Sequence, residues 1–324
     1  MIKIYSVQQV SHFTFRFARD YLRTHGIVYV NNPLKADVIV STGKTRKYRL
    51  LKKLLFFKKF LTWTNEPRLS TVYKNFSRGN EVIMNVYSGN VFFHNLHFLG
   101  SYYNVFNHGL GINLQAPPGE RLTLETLREK KKFCVAVFAY RDQESSKLII
   151  HNKNADLYAP RQELAHFLYQ QHKADIVGNN WPGVVQVIES SGYESGNNEW
   201  WTVKIDLLRQ YKFNLCFENT IYPYYCTEKL WHAIAAGCLP IYYGEGTAIY
   251  ETFPVNSFVD AATFKSKEAL LDFLEHLTPE EHINRYNLCL EVMHRFCAKR
   301  LADPNLETDT MEPFIDTIKQ LVKK

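Results

Sequence analysis

The 324-residue chain lacks the patterns that assign a class at sight. No uninterrupted apolar stretch approaches the roughly twenty residues of a membrane-spanning helix. The opening Met1-Ile-Lys-Ile-Tyr reads as a strand and not as a signal peptide. Six cysteines form no Cys-x-x-Cys pair, and Cys216 and Cys238 lie in apolar, strand-like segments where a thiol behaves as a small hydrophobe. Reduced core cysteines and a cytoplasmic protein are therefore expected. No Asp-x-Asp occurs, which removes the usual carboxylate pair that grips a divalent ion, and the histidines show no metal-ligand spacing. No internal repeat recurs at a fixed period, and the single Asn75-Phe-Ser77 sequon reads as chance.

What is present is apolar, aromatic and mildly basic. A hydrophobic content of 46% can fill one large or two medium cores. Aromatic residues make up 15%, with 22 Phe and 20 Tyr; such rings bury well and also pack on the C–H faces of sugars. The net charge of +7 is spread along the chain. It suits phosphates, nucleic acid or an acidic membrane face without choosing among them.

The apolar rhythm alternates strands and helices. Strands are expected at 3–6, 26–30, 36–41, 59–64 and 81–87, with helices at 12–25 and 46–57. Residues 115–132 read as a linker ending in a charged helical stretch. A second series follows, with strands at 133–138, 174–178, 212–216, 238–244 and 258–260 and helices at 160–172, 202–211, 228–236, 266–277 and 279–299, before a last amphipathic helix at 313–322. Repeated βα units imply parallel sheets covered on both faces. The expected domains are 1–122, 131–300, and a tail helix within 301–324 that packs back on the first domain.

One segment concentrates the chemistry. Lys212-Phe-Asn-Leu-Cys-Phe-Glu-Asn-Thr220 is a strand running into a polar loop, Thr227-Glu-Lys229 opens an apolar helix ending at Gly237, and Cys238–Gly244 is the next strand. A helix N-terminus just after a strand is a ready phosphate site. Thr227 is placed as N-cap, with Glu228 at the positive dipole end and Lys229 able to reach a phosphate there. Glu218, Asn219 and Tyr225 can hydrogen-bond ribose or sugar hydroxyls.

At these residues the chain resembles the α1,3/4-fucosyltransferases, inverting enzymes that use GDP-fucose. Residues 212–244 match their signature nearly position by position, and Lys212–Thr220 looks most like the soluble bacterial members. Ala159-Pro-Arg161 resembles the family's helix bearing a phosphate-binding arginine, and Trp63-Thr-Asn-Glu66-Pro its first-domain Glu-Ser-Pro motif, whose Glu is the proposed base. The Ser of that motif is missing here, and the following region is instead rich in His and aromatics (His94, His97, Phe98, Tyr102, Tyr103, His108). The resemblance implies a GT-B glycosyltransferase: α/β, with two facing Rossmann-like domains and an interdomain cleft, the acceptor domain first and the GDP-fucose domain second. It implies Glu66 as catalytic base and Arg161, Glu218, Asn219, Tyr225, Thr227, Glu228 and Lys229 as donor-binding residues, with an oligosaccharide acceptor and no nucleic acid partner.

Chemistry agrees at several points. A guanidinium binds two diphosphate oxygens at once. A strand-end acid before Pro67 can take a proton from an acceptor hydroxyl. Without a metal-binding acid pair, leaving-group charge would fall to Arg161, Lys229 and the helix end, so no metal is expected to be essential. Bland readings stand beside these: Arg161 in a surface ion pair with Glu163 or Asp156, Glu66 as a turn cap. The basic stretch Lys44–Lys59 is either a helix packed on the sheet or a contact with an anionic membrane. Two rival functions remain open: a transferase of the same build using another nucleotide sugar, and a non-catalytic glycan- or nucleic-acid-binding protein.

Overall fold

The computed structural model describes residues 1–7, 16–64, 66–71, 79–85, 119–142, 147–150, 152–184, 200–302 and 311–323. The His- and aromatic-rich segment from His94 to His108, the sequon at Asn75, the beginning of the 12–25 helix and the end of the 81–87 strand lie outside them. The chain forms two compact units, residues 1–90 with 304–324, and residues 91–303.

The first unit carries β1 (Ile2–Ser6), β2 (Ile27–Tyr29), β3 (Val38–Thr42), β4 (Lys59–Thr64) and β5 (Glu81–Asn85) in one parallel sheet, ordered β2-β1-β3-β4-β5. Helix α1 (Arg16–Thr24) packs on β2. Helix α2 (Arg46–Leu54) starts where the Thr45 hydroxyl accepts from the Tyr48 N–H and buries Tyr48, with Leu55 just beyond its end, against Ile39 and Phe60. The tail helix belongs with this unit: it buries Phe314, Ile315, Ile318 and Leu321 and packs on β3 and β4.

The second unit carries β6 (Lys132–Val137), β7 (Ala174–Val177), β8 (Tyr211–Leu215), β9 (Leu239–Tyr242) and β10 (Val259–Asp260), also all parallel, ordered β7-β6-β8-β9-β10. Numbered within each unit, both sheets run 2-1-3-4-5. The interior strands are buried almost throughout, as a doubly covered parallel sheet requires. Its helices are α3 (Leu124–Glu129), α4 (Tyr158–Gln170), α5 (Trp200–Leu208), α6 (Glu228–Ala235), α7 (Lys267–His276) and α8 (Pro279–Ala302); the tail helix is α9 (Glu312–Lys323).

Residues 119–130, read from sequence as the end of the first domain and a linker, pack within the second unit. The Leu122 N–H donates to Asn287 Oδ1 at 2.9 Å, the Asn287 amide returns a bond to the Leu122 carbonyl, and Leu122 and Leu127 are buried. The charges of α3 that suggested a linker face outward. All six cysteines are free and buried. Among the described residues, no helix is long and apolar enough to cross a membrane, and no three His, Cys, Asp or Glu side chains are grouped to hold a metal ion.

Candidate active site

In an open parallel sheet the natural ligand position is the carboxyl edge where the strand order reverses, here between β6 and β8. The chain leaves β8 through Cys216, whose N–H still donates to the Ile241 carbonyl, and then runs Phe217-Glu218-Asn219 along that edge. This loop is stitched to the segment before α4. Leu157 N–H donates to the Asn219 carbonyl at 3.0 Å and Ile221 N–H to the Ala155 carbonyl at 2.8 Å. The Asp156 carboxylate accepts from Ala159 N–H in the first turn of α4. That stitching brings Arg161 to the loop after β8.

Arg161 is only 4% exposed, so it is not a surface ion pair. Its guanidinium lies between two rings, 4.5 Å from the centroid of Phe138 and 4.7 Å from that of Tyr158, with Nη1 3.5 Å from the Phe217 carbonyl oxygen. Stacking of this kind fixes the plane of the fork. Phe138 is itself anchored: its carbonyl accepts from Trp181 Nε1 at 2.8 Å, and Gly178 passes so close that a Cβ there would sit 2.2 Å from the Phe138 oxygen. Only glycine fits.

Beside it, α6 begins in an ion network. Glu218, buried, accepts from Thr227 N–H at 2.6 Å and the Thr227 hydroxyl at 2.8 Å through Oε1, and from Lys229 Nζ at 3.0 Å through Oε2; Lys229 also donates to Thr227 Oγ1 at 2.8 Å. This corrects the sequence reading of Thr227. It occupies the N-cap position, but its hydroxyl makes no cap bond to α6: its proton goes to the buried Glu218 carboxylate and its oxygen accepts from Lys229 Nζ. Glu218 thus orients Thr227 and Lys229 at the helix N-terminus. At its other end α6 closes with Gly237 N–H bonded to the Ile234 carbonyl and Cys238 N–H to the Ala233 carbonyl, a pattern that needs the positive φ of Gly237.

Charges in the network set one another. Burial would raise the Glu228 carboxyl, but Lys229, Lys204 and His232 outweigh it and bring it down to about 2. Burial would lower Lys229, yet Glu218 and Glu228 hold its ammonium above the usual lysine range against the push of Arg161. Both groups are ionised at neutral pH. Asn219 donates to the Tyr158 hydroxyl at 3.2 Å and accepts from Thr220. Tyr225 is buried, its carbonyl accepting from the Tyr242 hydroxyl.

All seven residues expected at a donor site belong to this one edge. Sequence reasoning missed three neighbours. Tyr158 stands one helical turn before Arg161, a spacing that could have revealed it, whereas Phe138 is 23 positions away and only the sheet joins the two. Lys204, buried on α5, is lowered by burial and supported by Glu228; a cation inside the apolar run Trp200–Leu208 was the available signal.

Glu66 lies in the other unit, two residues past β4 at that sheet's carboxyl edge. It is half-buried, and its N–H donates to Thr64 Oγ1 at 3.1 Å. Its side chain does not cap the 3-10 turn Pro67–Leu69 that follows, so the turn-cap reading does not apply.

Residues 140–305 match the model of glycosyltransferase family 10 (fucosyltransferase), C-terminal part. The Alpha-(1,3)-fucosyltransferase FucT of Helicobacter pylori is 40% identical over 83 residues, 26% of this chain and 17% of that protein. The human 4-galactosyl-N-acetylglucosaminide 3-alpha-L-fucosyltransferase FUT6 is 39% identical over 75 residues, 22% of this chain and 21% of that protein. The chain thus spans about a fifth of the length of these curated relatives. The crystal structure of an alpha1,3-fucosyltransferase aligns over 95% of this chain and 92% of its own, at 17% identity and a TM-score of 0.48. With the family model covering just over half of its length, this chain belongs to glycosyltransferase family 10, the fucosyltransferases.

Proposed function

We propose that the chain transfers L-fucose from GDP-fucose to the 3-hydroxyl, or the 4-hydroxyl, of N-acetylglucosamine in a glycan such as N-acetyllactosamine, with inversion. The reading rests on family membership and on one observation: a ring-stacked, buried arginine beside an ordered lysine and a helix N-terminus, at the switch point of the second sheet. Arg161 and Lys229 supply fixed positive charge where a departing diphosphate would carry its negative charge. Asn219 and Tyr225 serve the nucleotide and sugar hydroxyls. Glu228, held ionised, offsets positive charge growing on the fucose ring. The acceptor oxygen bonds to C1 as the C1–phosphate oxygen bond breaks, GDP leaves with that electron pair, and the hydroxyl proton passes to Glu66. With two cations already on the leaving group, the reaction needs no divalent metal.

The test is a transfer assay with GDP-fucose, GDP-mannose and UDP-sugars against N-acetyllactosamine-type acceptors, with and without chelator. Fucose transfer that survives chelation is the expected result; transfer from another sugar nucleotide alone overturns the donor assignment. Glu66→Gln should cut turnover by about 10²–10⁴-fold while GDP still binds, and near-normal turnover would remove Glu66 from the mechanism.

A further inference from the structure

The first unit carries a surface to which the proposed transfer reaction assigns no residue. Between Asp37 and Glu66 the chain has eight lysines and arginines and no acidic residue. Helix α2 and the turn after it occupy the middle of this run. Tyr48 and Leu55 point to the core, so the opposite face is that of Leu50 and Leu54, one turn apart. An ordinary surface helix would place polar residues there. Instead Leu50, Leu54, Phe56 and Phe57 are between 56% and 73% exposed, four large apolar side chains within eight residues. Single exposed apolar residues are unremarkable, but a cluster of four is a contact surface. Arg46, Lys47, Arg49 and Lys53 are exposed around it, and Lys58 lies over the Phe57 ring. Lys52 is tied to Glu81 at 2.6 Å, and the Lys47 ammonium lies 5.5 Å from the centroid of the Tyr5 ring.

We propose that this face docks the protein on an anionic lipid bilayer, with Leu50, Leu54, Phe56 and Phe57 entering the headgroup region and the surrounding cations lying against lipid phosphates. Charge selects the partner. A second copy of the same face would bring like charges together, and a neutral apolar groove would not need the fence of cations. A bilayer accepts both halves of the pattern: apolar side chains on one helix face at shallow depth, and flexible cations that reach up to phosphates. The proposal stands independently of the sugar-transfer reading, because none of these residues is placed at the donor edge or acts as the base.

Flotation of the full chain with vesicles of equal parts phosphatidylcholine and phosphatidylglycerol tests it. Binding is expected, absent with phosphatidylcholine alone and lost as salt is raised. The double substitution Phe56→Ser with Phe57→Ser and the double substitution Lys47→Gln with Lys53→Gln should each lower partitioning by about tenfold. Ile149→Ser, which removes an exposed apolar side chain from the other unit, should leave it unchanged. Thermal melts of each variant separate lost docking from lost folding. No binding to anionic vesicles, or binding that persists in both double variants, overturns the proposal. So does tight RNA binding through the same cations that the Phe56/Phe57 substitutions do not affect.

Discussion

The two units repeat one strand order but distribute charge differently. At the amino edge each has a tyrosine and a lysine that donate to one carboxylate. In the first unit the Tyr48 hydroxyl donates to Glu81 at 2.7 Å and Lys52 to its other oxygen at 2.6 Å. In the second the Tyr211 hydroxyl and Lys132 both donate to Asp175 Oδ2, at 2.6 and 2.9 Å. Burial, with the carboxylate's help, pushes both phenols up. At the carboxyl edge the likeness ends. The second unit gathers Arg161, Lys204, Glu218, Glu228 and Lys229 there, while the first presents Glu66. Charge at the amino edge ties strands together. At the edge where the strand order reverses it faces the place a ligand can occupy. Position in the topology, more than burial or pairing, separates an ion group that ties strands together from one that faces a ligand position.

The comparison breaks most visibly at Glu81. Its side chain is 1% exposed, and Glu81→Ala strands the Tyr48 hydroxyl and Lys52; a loss of about 3 kcal/mol of unfolding free energy in urea titration is expected, with GDP affinity untouched. A change in GDP affinity would blur the division between edges. Arg161→Ala should act the other way, weakening GDP binding by about 100-fold in calorimetry, with Arg161→Lys recovering part of it because charge returns without the planar fork. Equal affinity in all three proteins would make Arg161 a packing residue. Acid should expose the carboxyl-edge network next. Glu228 titrates near 2 when folded against about 4.3 unfolded, so its contribution is complete above that unfolded value and is lost as pH falls toward 2. The melting temperature should hold to about pH 5 and then drop, and Glu228→Gln should flatten the drop; an identical acid profile would mean the group does not couple to folding. Asp175→Ala should cost least, under about 1 kcal/mol, since its carboxylate is 29% exposed and water can replace its partners. A cost matching that of Glu81→Ala would show that burial does not distinguish the two trios.

Much of this was legible along the chain. Short, β-branched or aromatic apolar runs such as Phe133–Phe138 and Leu239–Tyr242 fit buried parallel strands, and the Thr-Glu-Lys opening of α6 marked the helix whose N-terminus carries the candidate site. What sequence could not supply depended on through-space competition. Thr227 looked like a cap because Thr before Glu-Lys is a good one, yet a buried carboxylate nine residues earlier turns its hydroxyl proton away and the Lys229 ammonium donates to its oxygen. Residues 119–130 looked like a linker because their charges are dense, and two leucines facing α8 decided otherwise. The repeated strand order left no sequence period, since each sheet needs only apolar segments in the right succession and not the same residues.

By itself, then, the sequence determined the βα succession, the parallel sheets and the strand–loop–helix segment at 212–244, because these follow from local periodicity, strand–helix punctuation and residue chemistry over a few dozen positions. Only the tertiary structure decided that Arg161 would stand between Phe138 and Tyr158, that Glu218 would order Thr227 and Lys229, and that four apolar side chains near α2 would face outward among cations. Each of these is a choice among partners distant in sequence, settled by which groups the sheets bring within a few ångströms and which of them water can still reach.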